Sequence, residues 1–380
     1  MGEVVIREVE GRSNLRDWLD VPVRTRGREP GFVHLLDLME KPRISKKAPF
    51  FTFGEAKFFV AYSDGKPVGR ISAQINRRHL DLYKDATGHF GFFECVDDRG
   101  VAAALFDVAA DWLRTKGMER MVGPFDLTVN DEIGIPVDDF EGPPALLMRH
   151  GARWYPSLFE AHGFDKAKDV LAYRFRPTER GSAVPDVLLR ASARARAMPG
   201  ITTRQFDLKQ FKREADLLID IFNDAWSHNW SFVPFSEAEI EALVKEMKPV
   251  LKDRWAHFVM VDGREVGVIV ALPDVNRVIQ GGNGRLFPTN VFKLASKFIS
   301  SDWETFRVPL MGIRREFHKS AMVTGLLGVL MEALMRQHVD YKIDWVEFSW
   351  ILEDNKGMRH AAEMLTGPAE KTYRLYAKAL

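Results

Sequence analysis

Two Asp-Gly dipeptides, each set between two runs of β-forming residues, are the strongest constraint on how this chain can fold. The first is Asp64-Gly65 in AKFFVAYSDGKPVGRISAQIN, and the second is Asp262-Gly263 in HFVMVDGREVGVIVAL. An Asp-Gly pair in this setting is a strong signal for a β-hairpin. Around each hairpin the sequence predicts the same order of elements: helices, hairpin, strand, helix, strand, helix and strand. The chain is therefore predicted to contain an internal repeat of two α/β domains.

The repeat also sets the expected domain boundaries. The chain has 380 residues, which is long enough for two domains of common size. We expect an N-terminal domain over residues 1–175, a linker over 176–204 and a C-terminal domain over 205–380. The linker is expected because structure-breaking residues gather there, followed by an Ala/Arg-rich helix. Those breaking residues are Pro177, Gly181, Ser182 and Pro185.

The stretch VPLMGIRREFHKSAMVTGLLGVLMEALMRQ, residues 308–337, is the second constraint. It predicts a strand to Ile313, a charged turn, and a helix that opens at Ala321 with apolar residues along one side. Gly325 and Gly328 keep this helix thin, which predicts close packing on a sheet. The turn between strand and helix presents unpaired N–H groups and the positive end of the helix dipole, which suits a pyrophosphate. An ordinary strand–helix unit without a ligand remains the alternative.

The corresponding turn in the first half has a different character. A strand over 91–96 leads into Asp97 and Asp98, and a helix follows over 101–116. Aspartates at a helix start satisfy the dipole themselves. They also repel a pyrophosphate by Coulomb's law. We therefore expect the first half to bind a phosphate-containing coenzyme poorly.

Composition excludes several classes of protein. Lys plus Arg is 54 and Asp plus Glu is 53, so the net charge of +1 gives no basic excess for nucleic acid. The single cysteine, Cys95, excludes an internal disulfide and a multi-cysteine metal site, and it fits a reducing compartment. No run approaches the roughly 20 apolar residues of a spanning helix, and we see no signal peptide. The expected location is the cytoplasm or the inner face of its membrane.

The element order and the stretch over 308–337 resemble the GNAT superfamily of N-acyltransferases. In that family a strand leads through a turn of the pattern Arg/Gln-x-x-Gly-x-Gly/Ala into a helix. His318 stands where the family has Arg or Gln, and Ala321 and Val323 stand where it has Gly. The resemblance implies two GNAT-like domains, each a mixed, mostly antiparallel sheet flanked by helices. It also implies acyl-CoA as co-substrate without a metal, held in the C-terminal domain by Met311, Gly312, Ile313, His318, Lys319, Ser320, Ala321, Met322, Val323 and Asn355.

Four further runs resemble a narrower, proteobacterial branch of tandem GNAT proteins that includes the bacterial ceramide synthases. They are GRISAQIN, FGFFECVDD, GPFDLTVNDEIGIPVDDF and FDKAKDVLAYRF. This resemblance implies acylation of the amine of a long-chain sphingoid base or its 3-keto precursor. The alternatives are a small-molecule or amino-acid N-acetyltransferase and a non-catalytic acyl-CoA-binding protein. Ala362 stands where the family has the Tyr that protonates the leaving thiolate, which favours the non-catalytic alternative.

Acyl transfer to an amine needs a base, so acidic residues near strand ends are the catalytic candidates. Glu94 lies on a strand with apolar neighbours, which predicts a raised pKa suited to a base; the alternative is an ion pair with an arginine. Glu316 lies in the coenzyme turn, and the alternative is a solvated acid. Glu353 and Asn355 end a strand, and the alternative for Asn355 is a helix cap.

The acceptor amine is expected near two other groups of residues. Asn130, Asp131 and Glu132 open a long irregular stretch that could cover it, with a plain surface loop as the alternative. Trp226, Trp230 and Phe232 cluster between two helices and could line an acyl or lipid tunnel, although core packing explains them equally well. The scattered histidines His150, His162, His228 and His318 show no metal-ligand spacing.

Overall fold

A computed structural model describes residues 2–177, 186–248, 251–282, 284–320, 322–336 and 342–380. The chain forms two compact units. The first consists of the residues up to Val170 together with Val275–Ala295 and Lys371–Leu380, and the second of Leu171–Asp274 and Ser296–Glu370. The units are therefore not contiguous in sequence, unlike the expected domains. Of the expected linker, residues 178–185 lie outside the described residues, and the Ala/Arg-rich helix follows them.

The order of elements agrees with the predicted repeat. The strands are β1 (Val4–Glu8), β2 (Gly54–Ser63), β3 (Lys66–Asn76), β4 (Thr87–Cys95), β5 (Arg120–Gly123), β6 (Ile135–Pro136), β7 (Asp165–Phe175), β8 (Ile201–Gln205), β9 (Ala256–Val261), β10 (Arg264–Pro273), β11 (Thr305–Ile313), β12 (Trp345–Leu352) and β13 (Lys371–Ala379). The helices are α1 (Gly11–Arg26), α2 (Asp37–Arg43), α3 (Arg77–Tyr83), α4 (Arg99–Thr115), α5 (Tyr155–Ala161), α6 (Asp186–Arg196), α7 (Phe211–Trp226), α8 (Glu237–Met247), α9 (Asn276–Ile279), α10 (Thr289–Ser300), α11 (Val323–Arg336) and α12 (Lys356–Thr366).

Both predicted hairpins are confirmed. The first joins β2 to β3, with φ of 50° at Asp64 and 72° at Gly65. The second joins β9 to β10, with φ of 49° at Asp262 and 79° at Gly263. Positive φ at both central residues is the type I′ geometry, whose twist matches that of the flanking strands. Asp and Gly occupy these positions because they tolerate the left-handed region better than other residues do.

The sheet of the first unit is covered by helices on both faces. Its strands run in the order β1-β2-β3-β4-β5-β13, with β4 and β5 parallel and the other neighbours antiparallel. Phe90 and Phe93 pack with Phe106 of α4 on one face. On the other face Trp18 of α1 contacts Phe92, with ring centroids 5.7 Å apart. Helix α1 was not predicted, because Pro22 lies inside it and the surrounding region is polar.

The sheet of the second unit runs β12-β11-β10-β9-β8, with β11 and β12 parallel and the others antiparallel. Helix α11 is described from Val323, and Ala321 lies outside the described residues. A Cβ added at Gly325 would lie 2.8 Å from the Cβ of Ala195, and one at Gly328 would lie 3.2 Å from that of Ala191. The thin side of α11 therefore packs closely on helix α6, not on a sheet as expected.

A β-bulge lies in the strand that precedes the long helix of the second unit. Val308 and Pro309 of β11 lie opposite Ala271 of β10, since the residues on either side keep regular partners. The parallel pairing with β12 ends at Val308↔Phe348. Residues 309–313 of β11 are thus not paired with β12, and the two strands separate after Val308.

The first unit also contains a β-bulge near the end of a parallel strand pair. Phe92 and Phe93 of β4 lie opposite Ile71 of β3, and the parallel pairing with β5 ends at His89↔Val122. A bulge at the point where two parallel strands part therefore occurs once in each unit, which is independent support for the internal repeat. Among the described residues no helix has the length and apolar character needed to cross a membrane.

Candidate functional site

A polar cleft with a cavity volume of about 60 Å³ lies within the first unit. Four arginines and four carboxylates contribute to its lining, so charge is nearly balanced within it. The ionisable lining residues are Arg26, His34, Glu40, Arg43, Arg70, Glu94, Asp126, Glu132, Arg149 and His150. Two residues that the sequence singled out separately, Glu94 and Glu132, thus line the same cleft.

Glu94 is held by Arg26, the last residue of α1. The Nε of Arg26 donates to Oε2 at 2.6 Å, and a terminal nitrogen donates to Oε1 at 2.7 Å. The hydroxyl of Tyr155 donates a third hydrogen bond at 2.7 Å. Burial raises the pKa of the Glu94 carboxyl, but the charge and hydrogen bonds of Arg26 outweigh it and lower the pKa to about 2. The raised pKa expected from the apolar neighbours is therefore wrong, and the alternative of an arginine ion pair is correct.

Asp126 and Arg149 occupy the place where β4 and β5 part. The backbone N–H of Phe92 donates to Asp126 Oδ1 at 2.7 Å, and Arg149 donates to the carbonyl of Phe93 at 3.1 Å. Arg149 also pairs with Asp126. Two backbone groups of the bulge are therefore satisfied by side chains of the chain itself.

The first N–H groups of helix α4, which follows the bulge, are also occupied and cannot bind an anion. The carboxylate of Asp98 accepts from the N–H groups of Gly100 and Val101, at 2.8 and 3.0 Å. These are the orphan donors that a pyrophosphate would use. The structure thus adds a physical reason to expect poor coenzyme binding by the first unit.

His150 is neutral and fixed in one tautomer. Its Nδ1 faces the guanidinium of Arg26, which can only donate, so Nδ1 accepts. Its Nε2 then carries the proton and donates to the carbonyl of Pro30 at 3.2 Å. Burial and the positive charge of Arg26 together lower the pKa of His150 to about 3. The ring therefore braces Arg26 and does not exchange protons near neutral pH.

Glu132 differs from the other acids of the cleft. Its nearest cation is Arg43, at 3.4 Å, and its side chain keeps 16% of its surface exposed. Burial raises the pKa of the Glu132 carboxyl to about 7, with Arg43 opposing and Asp126 adding to the rise. Asp131 shares Arg43 at 3.7 Å. Asn130, in contrast, is anchored by its backbone N–H to the Thr128 hydroxyl at 3.1 Å.

In the second unit the predicted coenzyme turn is braced by its own hydrogen bonds. The amides of His318, Ser320 and Val323 donate to carbonyls inside the turn, at 3.0, 2.9 and 3.2 Å. The amide of Met322 donates to the Ser320 hydroxyl at 2.9 Å, and His318 Nε2 donates to the Ile313 carbonyl at 2.7 Å. A pyrophosphate bound here would have to share or replace several of these bonds.

Three further residues predicted for catalysis in the second unit are Glu316, Glu353 and Asn355, and none of them is buried. Glu316 pairs with Arg264 at 2.8 Å, and about half of each side chain is exposed. Asn355 caps α12 by accepting from the Met358 N–H at 3.2 Å, as its alternative interpretation predicted. The carbonyl of Glu353 accepts from Arg359 at 2.8 Å.

The predicted aromatic cluster lies beside the end of β11. Trp226 and Phe232 both contact Phe222, with ring centroids 4.3 and 5.7 Å apart, and Trp226 also contacts Trp350 at 5.5 Å. A Cβ added at Gly312 would lie 3.6 Å from the indole nitrogen of Trp226. Trp226, predicted to bind substrate, and Gly312, predicted to bind coenzyme, are thus neighbours. Trp230 is half-buried.

Sequence reasoning missed the basic half of the cleft. Arg26 was missed because its helix was missed, and Arg149 lies in a stretch without periodicity. Arg70 lies on a predicted strand as an isolated charge among apolar residues, which is the one local signal of a buried partner. That partner is Glu40, which also accepts from the indole of Trp18 at 3.1 Å. Across the described residues no group of three or more His, Cys, Asp and Glu side chains could hold a metal ion.

No protein-family model matches this chain. It is 36% identical over 375 residues to the bacterial ceramide synthase of Caulobacter vibrioides, an alignment that covers 98% of this chain and 96% of that protein. It is 34% identical over 376 residues to protein YghO of Escherichia coli, covering 99% of this chain and 95% of that one.

Two solved structures show the same fold along the whole chain. A tandem GNAT protein from the clavulanic acid biosynthesis pathway has a TM-score of 0.57 at 13% identity, over 99% of this chain and 98% of that one. A GCN5-related N-acetyltransferase from Sphaerobacter thermophilus has a TM-score of 0.51 at 12% identity, over 99% and 95%. These matches concern the fold alone.

Proposed function

We propose that this chain, which belongs to the tandem GNAT family of the bacterial ceramide synthase and YghO, is an acyl-CoA-dependent N-acyltransferase for long-chain amines. The acceptor is a sphingoid base or its 3-keto precursor. The observation that carries the proposal is the full-length similarity to a protein named for ceramide synthesis. The buried polar cleft of the first unit supports it, because an amine acceptor needs charged groups to hold and deprotonate it.

The reaction sets the chemical requirements. The amine nitrogen attacks the thioester carbonyl carbon, the carbon–sulfur bond breaks, and the coenzyme thiolate leaves. An alkylamine resembles a lysine, whose pKa is about 10.4, so it arrives as an ammonium and must lose a proton. A base with a pKa near the working pH is best suited to take it.

Glu132 meets this requirement better than the acids predicted from the sequence, which are Glu94, Glu316 and Glu353. The pKa of its carboxyl is about 7 and its side chain is partly exposed to the cleft. Glu94 is fully ionised and bound on both oxygens by Arg26. We assign Glu94 a positioning role, in which it holds Arg26 and the end of α1 in the wall of the cleft. Asp131 adds negative charge that favours a bound ammonium.

The second unit is proposed to hold acyl-CoA. We assign the extended part of acyl-CoA to the ends of β11 and β12, because the pairing of these strands stops at Val308↔Phe348. Lys319 and the start of α11 carry positive charge for the phosphates, and Trp226 offers an apolar surface to the acyl group. We propose that the protein acts in the cytoplasm or at the inner face of the membrane, where acyl-CoA and a lipid amine can both be reached.

An assay of the purified protein with several pairs of amine and acyl-CoA distinguishes the long-chain acyltransferase from the two alternatives. Sphinganine, 3-ketosphinganine and a short polar amine are each combined with palmitoyl-CoA and acetyl-CoA, and products are followed by mass spectrometry. We expect the long-chain amine with palmitoyl-CoA to turn over at least about a hundredfold faster than the short pair. Faster turnover of the short amine with acetyl-CoA would support a small-molecule acetyltransferase instead. Binding of acyl-CoA without turnover of any pair would support the non-catalytic alternative.

A further inference from the structure

One segment of the chain is its longest run without an acidic residue. From Val275 to Ser301 there is no Asp or Glu in 27 residues, while the whole chain has 53 in 380, or about one in seven. The same segment carries four cations: Arg277, Arg285, Lys293 and Lys297. In a chain of net charge +1, this segment has a charge of +4, and it includes helix α10 and the loop before it.

Helix α10 exposes its apolar side chains. Phe292 is 73% exposed and Ile299 is 85% exposed, and a spacing of seven residues places them on one face of the helix. Phe287, in the loop before the helix, is 70% exposed. Among the described residues these are the three most exposed large apolar side chains. An isolated exposed apolar residue needs no explanation, but three on one short segment mark an interaction surface.

The opposite face fixes the helix to the protein. The ring of Phe298 packs edge-on against Trp303, with centroids 5.1 Å apart. Asn290 is buried and donates to the carbonyl of Arg285 at 2.8 Å. Phe298 and Asn290 thus anchor the helix to the protein. Phe292 and Ile299 face the solvent although the helix is held in place.

Cations border this apolar face. Lys293 follows Phe292 and is exposed, and Arg285 is exposed in the preceding loop. Neither makes an ion pair with any residue that the structure describes. Lys297 lies near Asp302 and Glu304, at 3.9 and 4.0 Å, and its ammonium donates to the Asp302 carbonyl.

We propose that the outward face of α10, together with Phe287, docks the protein on the surface of an anionic lipid bilayer. Apolar side chains flanked by cations suit that surface, because the former enter the acyl boundary while the latter meet the phosphates. A second copy of this chain is a poorer occupant, since it would bring two segments of +4 charge together. The inference goes beyond the proposed function, because it assigns a surface outside both candidate substrate sites.

Vesicle co-sedimentation of the full-length protein tests the docking surface without any substrate. We expect binding to vesicles of phosphatidylglycerol and phosphatidylcholine, weaker binding to phosphatidylcholine alone, and loss of the difference in high salt. The double variant Phe292→Ser/Ile299→Ser should bind at least about tenfold more weakly, and Lys293→Glu should weaken binding only to the anionic vesicles. The control is Leu38→Ser/Leu82→Ser, which removes exposed apolar side chains elsewhere and should bind like the wild type.

Several results would overturn the proposal. Absence of wild-type binding to anionic vesicles would do so, and so would equal binding by the Phe292/Ile299 variant. Sedimentation velocity adds a further arm: a wild-type dimer that the same variant converts to a monomer would assign the surface to a second copy. Circular dichroism checks that each variant is folded. Because no substrate is present, failure here is distinct from failure of the acyltransferase assay.

Discussion

Arg26 and Glu94 form a bidentate ion pair that joins the end of α1 to the far end of β4. The two hydrogen bonds measure 2.6 and 2.7 Å, and neither side chain is more than 5% exposed. Desolvation makes such a pair expensive to bury, so its net contribution to stability is modest. Removal of one partner is severe, because an uncompensated charge stays buried.

Replacement of Glu94 by Gln should lower the free energy of unfolding by about 3 kcal/mol, because Arg26 loses its charge partner. Urea denaturation followed by circular dichroism measures this. The control is Asp111→Asn, which breaks an exposed pair with Arg114 and should change stability by less than about 0.5 kcal/mol. Equal stability of the two variants would contradict the buried pairing.

The same pair predicts how stability depends on acidity. The pKa of Glu94 is about 2 in the folded protein against an ordinary value of 4.5, so the folded state favours the ionised form. The stabilisation is therefore fully present above about pH 4.5 and is lost as the pH falls towards 2. Wild type and Glu94→Gln should converge in stability over that window. A constant difference between pH 7 and pH 3 would show that Glu94 does not titrate as described.

Acyl transfer should rise with pH through about 7, because the carboxyl of Glu132 must lose its proton before it can accept one. Below that pH the rate should fall about tenfold per unit. Glu132→Gln should cut the rate by a factor of about a hundred or more and abolish this limb of the profile. Glu141→Gln, at an exposed acid of the same stretch, should leave rate and profile unchanged. An unaltered acid limb in Glu132→Gln would assign the base elsewhere.

Charge reversal at Lys319 should weaken acyl-CoA binding about tenfold, which corresponds to about 1.4 kcal/mol, because a carboxylate would then face the phosphates. Titration calorimetry measures the affinity. Lys356→Glu is the matched control, since it reverses an exposed lysine at the start of α12 in the same unit. If both variants bind acyl-CoA equally weakly, the cause is the overall charge of the protein. That result would count against the proposed coenzyme turn.

Gly91→Ala should destabilise the first unit by about 3 kcal/mol, the upper end of the usual cost of overpacking. A Cβ at Gly91 would lie 1.7 Å from the carbonyl oxygen of Phe125, so backbone must move where β4 and β5 part. Gly357→Ala is the control: its added Cβ meets nothing within 4 Å, and in helix α12 it should stabilise by up to about 1 kcal/mol. Thermal unfolding of both variants is the measurement. A Gly91 variant as stable as the wild type would mean that Gly91 and Phe125 are not this close.

Local signals in the sequence were sufficient for the repeat and the family. The hairpins at Asp64-Gly65 and Asp262-Gly263 were predictable because a type I′ turn depends on two adjacent residues and their backbone angles. The strand–turn–helix unit around Ile313 was predictable because amphipathic periodicity repeats within a few turns. The resemblance to tandem GNAT proteins and their ceramide synthase branch is confirmed by relatives aligned over nearly the whole chain.

Only the tertiary structure decided the chemistry of the cleft. Glu94 among apolar neighbours predicts a raised pKa, yet Arg26, 68 residues earlier in the chain, lowers it to about 2. Glu132 was predicted to lie near the acceptor from its place in a loop, and its pKa is raised because burial and the charge of Asp126 outweigh Arg43 and Arg149. The sequence by itself determined which elements form, because those signals act between near neighbours. Which charges meet inside, and how strongly burial acts on each, depends on contacts across the fold that only the tertiary structure supplies.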